Sequence, residues 1–242
     1  MKRQLFLDVG NTTIDLLLVE GGKKCRGKFL PSDEKGLDSF LQECGEVDMA
    51  FLSSVCQKTS SLVLSLLTER KIPFLLLTQE VMAKACERLG YAIANIDILG
   101  QDLFCDLLYQ DGPTILADFG TATKILALDS ENVFLGGVIL PGVPAFPKAL
   151  SAQTEGIPPL PLLENPPLLS LKTEEAVSSG AINGSAFLVE GYLNAFKKMP
   201  GLEKAAVLFT GGNYPLLGER LARYGRYDAN IPLLGLKRAF GA

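Results

Sequence analysis

A short acidic, glycine-bearing turn occurs twice in this chain, and that repetition constrains the fold more than any single residue does. Asp8-Val9-Gly10-Asn11-Thr12-Thr13 ends the apolar run that starts at Gln4, and Asp118-Phe119-Gly120-Thr121-Ala122-Thr123 ends the run Thr114 to Ala117, 110 residues later. Each turn closes one apolar strand and opens the next. One such hexapeptide is ordinary hairpin vocabulary. Two in the same setting predict a duplicated chain. The expected fold class is α/β, with two mixed-sheet domains at residues 1–112 and 113–242 that face each other across a cleft.

The intervening pattern fits that reading. Thr13 to Glu20 is rich in Ile, Leu and Val, Gly21-Gly22 turns the chain, and Lys24 to Leu30 reads as a third strand. Ser32 is the expected cap of a helix running to about Glu43, followed by a buried strand at Asp48 to Val55. Leu62, Leu66 and Leu67 give Thr59 to Arg70 helical spacing, and Phe74 to Leu77 reads as a further parallel strand. Helices are expected near Val81 to Leu89 and Gly100 to Tyr109. In the second half, strands at Lys124 to Asp129 and Asn132 to Leu140 precede a helix from near Ala145 and a long helix at about Thr173 to Lys198. The proline-rich stretch Ile157 to Pro167 must be an ordered loop. A strand at Ala205 to Thr210, a turn at Gly211-Gly212 and helical segments on either side of Asn230 complete the chain.

Composition removes several function classes. The 242 residues include no histidine, which excludes Ser-His-Asp and Cys-His nucleophile systems and the usual zinc sites. A general base must then be a carboxylate, Lys, Tyr or Cys. A net charge of -4 offers no basic field for a nucleic-acid backbone, so no nucleic-acid partner is expected. The five cysteines are scattered and never form a CxxC pair, which fits a reducing cytoplasm. Asp8 interrupts the N-terminal apolar run too early for a signal peptide, and no apolar run is long enough to span a membrane. A cytoplasmic protein with no membrane partner is expected.

The repeated turn is chemically suited to phosphate. Glycine permits positive φ and close approach of backbone N–H groups to an anion, Thr and Asn donate hydrogen bonds, and Asp can hold a cation against the phosphate charge. Asp8, Gly10, Asn11, Thr12 and Thr13 form the first candidate site, and Asp118, Gly120, Thr121, Ala122 and Thr123 the second. Thr210-Gly211-Gly212 closes a strand with bare backbone, against which the flat ring or ribose of a nucleotide can lie. No GxxxxGK[ST] or GxGxxG occurs, so neither a P-loop nor a dinucleotide-binding fold is expected.

The ordered motifs Asp8-x-Gly-Asn-Thr, Gly100-x-Asp102, Asp118-x-Gly-Thr-Ala, Gly136-Gly-x-Ile-x-Pro141-Gly, Thr210-Gly-Gly and Leu234-Gly235-Leu236 span nearly the whole chain. Their order and spacing resemble type III pantothenate kinases, members of the actin-like ATPase superfamily built from two ribonuclease-H-like halves. The resemblance implies ATP-dependent phosphorylation of pantothenate, the first step towards coenzyme A, by a homodimer that uses Mg2+ and a monovalent cation, K+ or NH4+. By that resemblance Asp8 to Asp15, including Asp15 itself, is the ATP phosphate loop, Gly120 and Thr121 make a second phosphate contact, and Gly211 and Gly212 adjoin the nucleotide. Asp118 corresponds to the monovalent-cation ligand. Gly100, Gln101, Asp102 and Leu103 match the pantothenate segment, with Asp102 as the proton acceptor, and Thr173 matches a substrate-binding threonine that reaches across the dimer interface.

The chain departs from the family pattern next to the base. The usual Gly-x-Asp-Arg reads Gly100-Gln101-Asp102-Leu103. An arginine there can pair with the substrate carboxylate, a charge-assisted contact worth about 1.5–3 kcal/mol, and leucine supplies none of it. Either another cation, such as Lys148 or a partner arginine, takes over, or pantothenate binds weakly, or the substrate differs. Two other readings follow: a catalytically impaired accessory protein that binds nucleotide or pantothenate, and a kinase for another small hydroxylated substrate.

Overall fold

The computed structural model describes residues 2–242. The chain up to Gln110 packs with Asn230–Ala242 as one unit, and Asp111–Ala229 forms another.

The first unit carries β1 (Arg3–Val9), β2 (Ile14–Glu20), β3 (Lys23–Phe29), α1 (Glu34–Glu43), β4 (Met49–Ser54), α2 (Gln57–Glu69), β5 (Phe74–Leu76), α3 (Gln79–Leu89) and α4 (Gln101–Leu107). Its sheet runs in the order β3-β2-β1-β4-β5. Strands β1 and β2 pair antiparallel, while β1 and β4 pair parallel through a crossover that includes α1. Alternation along β1 sends Leu5, Leu7 and Val9 into a core with Leu37 and Leu41 of α1 and Val63 and Leu67 of α2. Phe6 stands on the opposite face, stacked on Phe51 with ring centroids 5.1 Å apart.

The second unit repeats this plan with β6 (Thr114–Phe119), β7 (Ala122–Leu128), β8 (Phe134–Pro141), α5 (Ala145–Gln153), α6 (Thr173–Phe196), β9 (Ala206–Thr210), α7 (Gly218–Leu221) and β10 (Arg226–Tyr227). Its sheet order is β10-β9-β6-β7-β8. Read from the other edge, each sheet has a central strand with a two-strand antiparallel meander on one side and two parallel strands on the other. The duplicated α/β architecture expected from the two turns is therefore what the chain forms. Ile115, Ala117 and Phe119 of β6 pack on Ala181, Ile182, Val189 and Leu193 of α6 in this unit's core. No helix among the described residues is long and apolar enough to cross a membrane.

Three local details differ from the sequence reading. Helix α1 is capped by Asp33 rather than Ser32, with the carboxylate accepting from Gly36 N–H at 3.0 Å. A two-residue strand, β10, precedes Asn230, too short to leave any period in the sequence. The last helix, α8 (Ile231–Phe240), packs with the first unit, where Phe240 sits 4.8 Å from Phe51 and α8 lies against α4. That contact requires Gly235, because a Cβ there would run into the carbonyl oxygen of Cys105 in α4. Gly235→Ala should therefore destabilise the protein by about 3 kcal/mol or more, at the upper end of overpacking costs because the obstacle is backbone. Urea unfolding checks this, and an unchanged midpoint would show that α8 does not approach α4 so closely.

Candidate active site

The first acidic turn is a tight connection in which Gly10 N–H donates to the Thr13 carbonyl at 2.9 Å. Neither Gly10 nor Gly120 adopts a positive φ, so the conformational reason expected for these glycines does not apply. Space does apply at Gly10, where a Cβ would lie 3.2 Å from the Thr13 carbonyl oxygen. Asn11 and Thr12 are exposed at the tip. Asp8 and Asp15 are register partners across the hairpin, an arrangement that sets like charges opposite one another. The third strand offsets it: Arg26 reaches Asp15 Oδ1 at 2.6 Å and Lys28 reaches Oδ2 at 3.4 Å, while the Thr13 hydroxyl donates to Oδ2 at 3.1 Å. On the other side, buried Ser53 of β4 donates its hydroxyl to Asp8 Oδ1 at 2.8 Å.

Helix α4 begins beside this turn. Gly100 is its N-cap residue, and the Asp102 carboxylate folds back over the space that a Cβ at Gly100 would fill, 2.6 Å from that position. The Gln101 side chain accepts from the Ser54 N–H at 2.7 Å and so ties the helix start to the end of β4. Asp102 and Leu103 are half-buried. Asp102 is the acidic residue of the first turn of α4, the end of the helix at which the dipole favours negative charge. Below it, burial pushes the fully enclosed Cys105 thiol well up, helped by the charges of Asp8, Asp106 and Asp102 and opposed by a Ser53 hydrogen bond. The first turn and α4 are thus one electrostatic neighbourhood.

The second acidic turn is built from three glycine segments. Gly142 N–H donates to the Thr121 carbonyl at 3.2 Å, and a side chain at Gly142 would strike that carbonyl. Gly211, at φ +91, lies against Asp118 and Phe119, and a Cβ there would sit 2.5 Å from Asp118 Oδ1. Asn213 then stitches the two turns together through its N–H to the Phe119 carbonyl at 2.9 Å and its side-chain amide to the Gly120 carbonyl at 2.8 Å. Thr121 and Gly212 remain exposed. The fold brings Gly120, Thr121, Gly211 and Gly212 to one place.

These turns are the setting of a known family. The family model for type III pantothenate kinase matches residues 4–195. The chain belongs to the type III pantothenate kinase family. A type III pantothenate kinase from Moorella thermoacetica is 28 % identical over 251 residues, covering 96 % of each chain. Among solved structures, a Baf family protein from Campylobacter jejuni matches with a TM-score of 0.63 at 19 % identity, over 98 % of this chain and 97 % of that one. The activator of 2-hydroxyisocaproyl-CoA dehydratase from Clostridium difficile matches with a TM-score of 0.55 at 10 % identity, over 99 % and 94 %. These two likenesses are of fold, the actin-like ATPase fold.

Against the cations that the resemblance implies, the residues divide. Among the described residues no group of three or more Cys, Asp or Glu side chains could hold a metal ion. The residues fit Mg2+, which binds chiefly through nucleotide phosphates and water with one or two carboxylates, since Asp8 offers one carboxylate at the first acidic turn. Asp118, which the resemblance assigns to a monovalent cation, is instead ion-paired with Lys124 at 2.6 Å. Thr173 is the exposed first residue of α6 and lines an open pocket of about 480 Å³ with Phe146, Leu150, Ile157 and Leu171. Lys148 lies exposed on α5.

Sequence reasoning passed over Ser53, Asn213 and Lys124 as site residues. Ser53 was signalled by Ser-Ser-Val at a strand end, and Asn213 by its place after Thr-Gly-Gly. Lys124 carried no signal beyond being a polar residue in a strand.

Cys56, at the mouth of α2 just beyond Ser54, provides a chemical probe of this end of the sheet. Its thiol lies below the usual range because Thr59 hydrogen-bonds it, first through the side chain at 3.2 Å and then through the backbone N–H. A lowered pKa means more thiolate at neutral pH, so alkylation at pH 7.5 should label Cys56 ahead of exposed Cys25, while Cys105 stays unlabelled in the folded state. Peptide mapping checks the order. Labelling of Cys105 before Cys56 would contradict the arrangement around α4.

Proposed function

We propose that this chain phosphorylates pantothenate by in-line transfer of the ATP γ-phosphoryl group, with Asp102 accepting the proton of the attacking primary hydroxyl. The family match over residues 4–195 carries this reading, and it places the activity at the first step of coenzyme A synthesis. The absence of histidine agrees with a carboxylate base. A location in the cytoplasm fits both the unpaired cysteines and the substrates.

The transition state of such a transfer is loose, so most of the acceleration comes from positioning and from stabilising charge on the phosphate oxygens. Gly10, Asn11, Thr12 and Thr13 offer backbone and side-chain donors to the phosphates. Asp15 keeps the loop's shape by drawing Arg26 and Lys28 towards it. Gly120 and Thr121 supply further phosphate contacts, and Gly211 and Gly212 present bare backbone to the nucleoside. Asp8 would hold the water shell of Mg2+ bound with the nucleotide, and that ion would supply neutralisation of phosphate charge. Asp102 orients the hydroxyl and accepts its proton late, while Gly100 leaves the room in which that carboxylate sits. Gln101, engaged with Ser54, fixes the helix and thereby the base.

Leu103 removes the arginine that could pair with the pantothenate carboxylate, which places more of the substrate affinity on Thr173 and on apolar contact. Thr173 acts on the substrate of a partner subunit in this reading. Helix α6 supplies the dimer surface: Gly180 and Gly184 have open space where a Cβ would stand, and Phe187 and Leu188 beside them are 50 % and 44 % exposed. Sedimentation should therefore give twice the 26.0 kDa chain mass, and Gly184→Arg should give the chain mass alone. A native monomer would remove Thr173 from the site.

The function is tested by ADP release with pantothenate and detection of the phosphate ester by mass spectrometry. Asp102→Asn should lower kcat by about 10²–10⁴, the scale of a general base, with ATP binding nearly unchanged. A variant that keeps kcat within a few-fold of the native enzyme would remove Asp102 from the role. Nucleotide binding without turnover would identify an accessory protein, and turnover with other acceptors alone a different kinase.

A further inference from the structure

The second acidic turn already contains a cation. Asp118 stands at the end of β6, and Lys124 is its register partner across the β6–β7 hairpin. Nζ lies 2.6 Å from Oδ2, with the lysine and aspartate side chains only 12 % and 11 % exposed. The register partner of Asp118 on β9 is Thr210, fully buried, whose hydroxyl has no hydrogen-bond partner among the described residues. Because cross-strand partners share a face, carboxylate, hydroxyl and ammonium all stand on the face opposite the Phe119 core. A carboxylate and a hydroxyl beside turn carbonyls make an oxygen set suited to an alkali or ammonium ion. The lysine ammonium has the same charge as that ion and draws on the same lone pairs.

A free monovalent cation and Lys124 cannot both use Asp118 well. The carboxylate has one negative charge, the pair is nearly closed to water, and two unit positive charges on one carboxylate repel each other with little screening. A tethered ammonium also has a standing advantage, since it is held in place by the hairpin register and loses no translational freedom on binding. We propose that the Lys124 ammonium replaces the dissociable monovalent cation at Asp118, so that this kinase works without K+ or NH4+. Lys124 then acts as a positioning residue: it holds the Asp118 carboxylate against Gly211 and fixes the turn bearing Gly120 and Thr121. The proposal rests on the kinase reading above, and it departs from the cation requirement the family resemblance implies.

The test compares cations at matched ionic strength, with ATP and pantothenate supplied as tetramethylammonium salts. The native enzyme should turn over at rates that agree within about two-fold in tetramethylammonium, potassium and ammonium chlorides, the residual spread being general salt screening. Stimulation by K+ of about ten-fold or more would overturn the proposal. Lys124→Met should be slower by about ten-fold or more in tetramethylammonium chloride and regain rate in KCl or NH4Cl, because the vacated site then takes the free ion. Failure of either ion to restore a folded Lys124→Met enzyme would also count against it.

Thermal unfolding gives a readout independent of turnover. Replacing tetramethylammonium by K+ should leave the native Tm unchanged and raise that of Lys124→Met, as a ligand bound only by the folded state must. A K+-dependent rise in the native Tm would overturn the proposal even if no activity were seen. If no cation supports pantothenate turnover while the native Tm stays indifferent to K+, the kinase reading fails and the assignment of the Asp118 site to Lys124 stands.

Discussion

Each sheet is organised around an acid at the carboxyl end of its central strand, and the pairing register on both sides of that strand decides what the acid meets. Asp8 faces Asp15 on the antiparallel side and Ser53 on the parallel side. Asp118 faces Lys124 and Thr210 in the corresponding places. A slip of one residue in either hairpin would turn the acid into the core and Val9 or Phe119 out of it, so the core placement of Val9 and Phe119 is also what aims the acids. Burial therefore fixes a polar site without any of its polar contacts having to be strong.

The two halves share a topology and diverge in electrostatics. In the first, two carboxylates oppose each other and the compensating cations come from the next strand, through Arg26 and Lys28 on Asp15. Asp8 accepts a hydroxyl hydrogen bond from Ser53 at the turn. In the second, the cation lies within the hairpin itself, on the strand directly opposite. Duplication has thus kept the backbone frame while changing the partner of the acid at one register position. A carboxylate bonded to a hydroxyl can still serve a hydrated divalent ion, whereas one closed by an ammonium is committed to holding its own turn.

The parts of this plan legible in the sequence are those with a local physical cause. The two turns were visible because the same Asp-x-Gly turn recurs between apolar strands, and the strands because they are short apolar runs bounded by turn residues. The turn at Gly211 was visible in outline from its Gly-Gly pair at a strand end, and Gly211 does adopt a positive φ. The address of α8 was not legible, because an apolar helical stripe says that a helix must be covered and nothing about what covers it. The pairing of Lys124 depended on hairpin register, which propensity does not encode, and the reason first assigned to Gly10 and Gly120 was conformational when the structure gives Gly10 a steric one.

The position of Asp102 shows how far such non-local contacts reach. Asp102 sits in the first turn of a seven-residue helix, too short to hold its own orientation by propensity or by internal hydrogen bonds alone. It is held instead from three directions: Gln101 anchors to Ser54 at the end of β4, Gly100 leaves the space into which the carboxylate folds, and α8 presses its glycine face on Cys105 one turn further on. The last of these comes from the end of the chain, more than a hundred residues away in sequence. The first unit therefore seats this helix against residues that follow the entire second unit in sequence.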